Sequence, residues 1–213
     1  MQNKKVVIIL VVALLAIFFV SGYVYKNMQD QKELSKVQNN YSALVREHSY
    51  IDGNKDAKVE LVEFFDPACG TCALFHPYVK EMKKQNEGNI KIVYRYAAFH
   101  KGSDKVVKLL EAAKAQGKFN EFLELLFITQ KYWVKHHEVQ YNIVWKIAER
   151  SNLLDMAKVQ EFIKDPKLDE IIKQDLADAK TLGANKTPSF FVNSKPLKDF
   201  GLEQLIELVN SEL

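Results

Sequence analysis

The 213-residue chain is 47% apolar and carries 30 basic against 27 acidic side chains, a net charge of +3. That suffices for one packed domain with appendages. So small an excess of positive charge, interleaved with acids along the chain, excludes an extended nucleic-acid surface. Glycine and proline are scarce and no repeat or low-complexity tract occurs, which argues against long disordered linkers.

The N-terminus departs from this average. Lys4 and Lys5 precede VVIILVVALLAIFFVSGYVY, residues 6–25, and Lys26 follows. An uncharged run of this length matches the ~20 apolar residues a helix needs to cross a bilayer. Tyr23 and Tyr25 lie near its outer end, where amphipathic rings favour the interface. A cleaved signal sequence is the competing reading, because Ser21-Gly22 would permit cleavage. Its apolar core is normally shorter, though, and ends in an A-x-A-like site that is not evident here. An uncleaved anchor is therefore expected over residues 1–26. The absence of a cysteine near it argues against a lipid-modified N-terminus. The paired lysines favour the cytoplasmic side, so everything after residue 26 is expected outside it, where disulfides persist.

Residues 27–50 are polar, with an apolar stripe at Leu34, Val37, Tyr41 and Leu44. This spacing predicts a helical linker that spaces or docks the anchor, or, more sharply, a weak dimer seam. VELVEFF at 59–65 reads as a buried strand, followed by a helix to about residue 86 with Pro77 inside it. IKIVYRYA at 90–97 reads as a second strand. From 103 to 183 the periodicity is helical, with apolar faces around Val106–Ala113, Phe119–Leu126, Ile143–Ala148 and Ile171–Ala179, ending near Gly183. SFFVN at 189–193 reads as a strand, Ser194-Lys195-Pro196 as a turn, and 202–213 as an amphipathic helix. The order predicts an α/β core over 51–213 with a helical insertion at about 101–183.

The only two cysteines, Cys69 and Cys72, lie in FFDPACGTCALFHP at a strand-to-helix junction. Three roles are open. They could be small core residues, although an oxidising compartment favours sulfur chemistry over inert burial. With His76, one turn after Cys72, they could form a three-ligand copper or zinc site, as in a metal chaperone. As a redox pair they have a mechanism: a cysteine at the first turn of a helix has its thiolate stabilised by free N–H groups and the helix dipole. The two-residue spacer lets Cys72 close a disulfide with it.

Three more residues bear on this choice. Glu63, six before Cys69, sits in an apolar strand; it is either edge-exposed or a buried carboxylate able to move protons to and from Cys72. Pro77 would kink the helix. Thr187-Pro188 precedes a strand, either as an edge device or as a cis-proline turn.

Taken in this order, the residues resemble the thioredoxin superfamily, and within it the bacterial DsbA-like disulfide oxidoreductases, over most of 51–213. The resemblance implies a thioredoxin fold with a helical insertion domain. It implies Cys69 as nucleophile, Cys72 as resolving cysteine, Glu63 as buried acid, Pro188 as the cis-proline facing the disulfide, and Thr187 as offering backbone groups to a bound peptide. It also implies protein thiols or disulfides as substrates, a membrane redox partner, and no cofactor beyond the Cys69–Cys72 disulfide. The setting would be the bacterial inner membrane, crossed once, with the catalytic domain on the extracytoplasmic side. Strongly oxidising members carry a histidine between the cysteines. Gly70-Thr71 supplies no cation, which argues against a very oxidising pair, although Thr71 could donate a hydrogen bond to Cys69. His76, His100, His136 and His137 read as surface residues. A monomer is favoured; an isomerase would gain from dimerising through the stripe at 34–44.

Overall fold

A computed structural model of the chain describes residues 2–213. Its centre is a five-stranded mixed sheet in the order β1-β3-β2-β6-β7. The strands are β1 (Tyr50–Asp52), β2 (Val59–Phe65), β3 (Ile90–Tyr96), β6 (Ser189–Val192) and β7 (Lys195–Pro196). β2 and β3 run parallel, joined by α3 (Gly70–Gln85); β1, β6 and β7 pair antiparallel to their neighbours. β2 is buried along its whole length. That explains why its apolar residues lie on both faces of the strand, Leu61 and Phe65 on one and Val62 and Phe64 on the other, instead of on one alone.

Strand alternation divides the sheet's side chains between two cores. Leu61, Phe65, Ile92, Tyr94 and Phe190 meet α3, the insertion and α9 (Leu202–Asn210) on one face. Val62, Phe64, Val93 and Phe191 meet Val37, Leu44, Ala179 and Leu182 on the other. Between β3 and β6 lie α4 (Ser103–Ala115), α5 (Phe119–Trp133), α6 (Tyr141–Ser151), α7 (Met156–Phe162) and α8 (Lys167–Leu182). α8 ends where Gly183 adopts φ +79°, a left-handed cap that a side chain would strain.

Helix α1 (Gln2–Asn39) is continuous, long and apolar enough to cross a membrane, and its apolar stretch is wholly exposed. Its C-terminal end is not a free linker. Asp30 pairs with Lys198 at 2.8 Å, and Val37 is buried behind the sheet, as are Ala43 and Leu44 of α2 (Tyr41–Leu44). Two stripe residues, Val37 and Leu44, are thus occupied by the chain's own core and are not available to a dimer seam.

The docking is locked by charge. Arg95, fully buried on β3, donates to the carbonyls of Ala43 (2.6 Å) and Leu44 (2.8 Å), to Asp175 (2.7 Å) and to Asp178 (2.7 Å). Arg46 and His48 reach the same two carboxylates. Despite burial, which raises a carboxyl, hydrogen bonds from His48 and the charge of Arg95 hold Asp175 below its ordinary value.

Some details differ from the sequence reading. A two-stranded hairpin, β4 (Val134–Lys135) with β5 (Glu138–Val139), interrupts the helical block; its turn residues His136 and His137 have positive φ. The turn after β6 falls at Asn193-Ser194, both left-handed, so Lys195-Pro196 is a strand and not part of the turn.

Candidate active site

The segment Asp66-Pro67-Ala68-Cys69 turns the chain from β2 into α3: the Cys69 N–H donates to the Asp66 carbonyl at 2.9 Å. Cys69 is the N-cap of α3, in extended conformation (φ −80°, ψ 121°), which puts it at the end of the helix where the N–H groups of the first turn are free. Cys72 lies three residues further on, just under a full turn. It is 0% exposed, whereas Cys69 retains 7%.

These positions pull the two thiols apart chemically. Cys69 is lowered to about 5: the Cys72 thiol hydrogen-bonds it, and the Thr187 side chain and the N–H groups of Cys72 and Thr71 add to this against the opposing cost of burial. Thr71 thus contributes through its backbone. Cys72 is raised well above its ordinary value by burial, by its hydrogen bond to Cys69 and by the charge of Glu63.

Glu63 is 1% exposed, and its Oε2 has no hydrogen-bond partner. Of the two readings open to it, burial is the one observed. Burial first, and the charge of Cys69 second, raise it to about 8. Its parallel neighbour across β2 and β3 is Tyr94, whose hydroxyl is likewise buried without a partner. From the opposite side the Thr187–Pro188 peptide, which is cis, closes on the pair: Cys69 Sγ lies 3.2 Å from the Thr187 carbonyl oxygen, to which it donates when protonated. β6 carries this loop beside β2, with Glu63 opposite Phe190.

A family model described as Thioredoxin matches residues 46–211. The chain belongs to the thioredoxin family. Among solved structures, a thioredoxin-like oxidoreductase from Silicibacter pomeroyi is 28% identical with a TM-score of 0.68, covering 80% of this chain and 95% of that one. The thiol-disulfide exchange protein alpha-DsbA2 of Wolbachia pipientis, at 21% identity, shares the fold with a TM-score of 0.70 over 86% of this chain and 97% of its own. A curated relative, the Na(+)/H(+) antiporter NhaA of Herminiimonas arsenicoxydans, is 29% identical over 152 residues; the match takes in 71% of this chain and 23% of the antiporter. The chain therefore spans about a quarter of such a relative. The fold is that of the DsbA-like thioredoxin proteins, with the helical block inserted between β3 and β6.

Against this family frame, the metal alternative is corrected. Among the described residues no group of three or more metal-ligating side chains converges, so Cys69, Cys72 and His76 form no such site. His76 is not a surface residue either. It is 5% exposed, lies 5.0 Å from the Phe127 ring, and neither ring nitrogen has a partner. Burial, with Lys80 nearby, lowers it to about 4, so it is neutral at pH 7.

Two residues absent from the sequence reading complete the thioredoxin site. Asp66, fully buried, accepts from the N–H groups of Ala68, Phe99 and His100 and the His100 ring, each at 2.8 Å, and from the Ser103 hydroxyl. It ties the cysteine loop to the segment after β3. Gln130 of α5 donates to the carbonyls of Pro67 (2.9 Å) and Cys69 (3.0 Å). Asp66-Pro67 is a turn signal that could have pointed to the first. Nothing local marks the second.

Proposed function

We propose that this chain is a protein thiol–disulfide oxidoreductase, held on the outer face of the membrane by residues 6–25, whose redox group is its own Cys69–Cys72 pair. The observation that carries the reading is the division of labour between the sulfurs: one at a helix N-terminus with a stabilised thiolate, the other buried over an acid. A stabilised thiolate favours the reduced form of the pair and so makes its disulfide an oxidant, which supports the oxidising direction even without a histidine between the cysteines.

In that direction a substrate thiolate attacks Sγ of Cys69 in the disulfide and displaces Cys72 as a thiolate. Cys72, whose buried position disfavours charge, takes the proton of neutral Glu63. A second substrate thiolate then attacks the substrate sulfur of the mixed disulfide and expels Cys69, a good leaving group at a pKa of about 5. Two electrons pass from two substrate thiols to the pair. A membrane partner takes them up again, and confinement to the bilayer raises the effective concentration at which the two meet. The protein acts as a monomer in this reading.

The test uses Cys72→Ser in the full chain. Without a resolving thiol, substrates attacked by Cys69 remain as mixed disulfides, recovered by acid quench and non-reducing electrophoresis. Adducts that require Cys69 and disappear on reduction are expected. Equal adduct formation in Cys69→Ser would overturn the assignment.

A further inference from the structure

The Asp66–Cys69 turn is held from two directions. Asp66 secures it on the sheet side, bonding the Ala68 N–H and the segment at Phe99–Ser103. That network leaves the carbonyls of Pro67 and Cys69 untouched. Both point toward the insertion, where one side-chain amide meets them: Gln130 Nε2 donates to Pro67 O at 2.9 Å and to Cys69 O at 3.0 Å. An amide nitrogen has two hydrogens, so both bonds can form at once. The Cys69 carbonyl also accepts the Ala73 N–H at 3.2 Å, the first backbone bond of α3. Gln130 therefore grips the peptide groups that set where the helix starts.

The helix that carries Gln130 is anchored in the core. α5 buries Phe122, Leu123, Leu126 and Trp133, and the Trp133 indole donates to the Leu126 carbonyl at 3.0 Å. At the site itself, Gln130 also lies beside Gly70: a Cβ built there would be in ordinary contact with Gln130 Oε1 at 3.8 Å. The helical insertion thus reaches the Pro67 and Cys69 carbonyls through one polar side chain, 61 positions from Cys69 in sequence.

We propose that Gln130 is a positioning residue for the redox centre, which from the helical insertion fixes the Pro67 and Cys69 carbonyls and so holds the Cys69 sulfur against the free N–H groups of the first turn of α3. The inference rests on the oxidoreductase reading. With the grip released, the turn samples conformations in which those N–H groups no longer face the sulfur, and the thiolate loses part of its stabilisation. The titratable groups coupled to Cys69 are Cys72 on α3 and Glu63 on β2, and Gln130 touches neither, so its effect travels through the backbone.

The test compares Gln130→Met, which keeps the volume without the N–H donors, and Gln130→Glu, which keeps the length and puts an acceptor against two carbonyls. Lys131→Ala, an exposed neighbour, is the control. Full-length chains in detergent are assayed for the pH midpoint of Cys69 alkylation, the equilibrium constant with glutathione, and the unfolding midpoint. One neutral hydrogen bond corresponds to a factor of about 2–10 in an equilibrium constant. The Met variant is expected to move the glutathione equilibrium by that factor toward the protein disulfide and to raise the alkylation midpoint by about 0.3–1 unit. The Glu variant should move both further in the same direction, and Lys131→Ala should move neither. An unchanged midpoint and equilibrium in Gln130→Met, with or without a loss of thermal stability, would overturn the proposal. A wild-type chain with no reversible Cys69–Cys72 disulfide would instead overturn the oxidoreductase reading.

Discussion

Replacing Glu63 by Gln isolates the cost of keeping a carboxyl under the redox pair. Glu63 is raised from 4.5 to about 8 in the folded chain, and its Oε2 has no partner to stabilise the charge. Between these two values the unfolded chain has lost the proton that the folded chain still holds. Stability conferred by the neutral carboxyl is therefore complete below about pH 4.5, falls as pH rises, and is exhausted at about pH 8. Each pH unit in this window corresponds to about 1.4 kcal/mol, so the penalty at pH 7 is about 3 kcal/mol, a large share of the ~5–15 kcal/mol stability of a domain. Gln cannot ionise. Guanidinium unfolding of the reduced wild type and Glu63→Gln, at pH 5, 6, 7 and 8, reads the difference directly. The variant should be about 1 kcal/mol more stable than wild type at pH 5 and about 3 kcal/mol more stable at pH 7. Parallel pH profiles for the two chains would show that Glu63 ionises in the folded state as it does in water, and the proton-transfer role at Cys72 would fall with it.

Two further perturbations probe the frame around the site. Arg95→Met leaves Asp175 and Asp178 buried without their shared cation and frees the carbonyls of Ala43 and Leu44; a loss of about 3–5 kcal/mol is expected in the same unfolding assay, and a loss below 1 kcal/mol would contradict the lock it forms between α2, β3 and α8. His76→Phe removes a buried imidazole lowered to about 4. The folded chain refuses a proton that the unfolded chain accepts below about pH 6.5, so wild type should lose up to about 3 kcal/mol of stability between pH 6.5 and 4 that the variant retains. Equal acid sensitivity would refute it.

The parts legible in the sequence are those with a local signature. β2, β3 and β6 are apolar runs of β-branched and aromatic residues, α3 is announced by its strand-to-helix junction, and Gly183 marks the end of α8. β1, β7 and the β4–β5 hairpin are only two or three residues long, too short to show a period, and the hairpin turn is made by two histidines rather than by glycine or asparagine. The polar stretch after the apolar helix read as a linker because its partners are distant: Val37 and Leu44 find their cover on strands and on α8, and Arg46 meets Asp178 across 132 positions. The same separation hid the Gln130 contact. Cys69, Cys72 and Glu63 stood out because their spacing along one strand and one helix already carries chemistry. His76 looked exposed because polarity alone does not reveal that Phe127 covers it.

The most direct test of the central claim is the redox equilibrium of the intact chain against a glutathione series, with Cys69 and Cys72 followed by thiol trapping. A thiolate stabilised to a pKa of about 5 predicts a reversible two-electron couple between the sulfurs. Its potential should lie well above the roughly −270 mV of a reducing thioredoxin. A potential at or below that value would contradict the oxidising direction. Failure of the two cysteines to form any reversible disulfide would contradict the account as a whole.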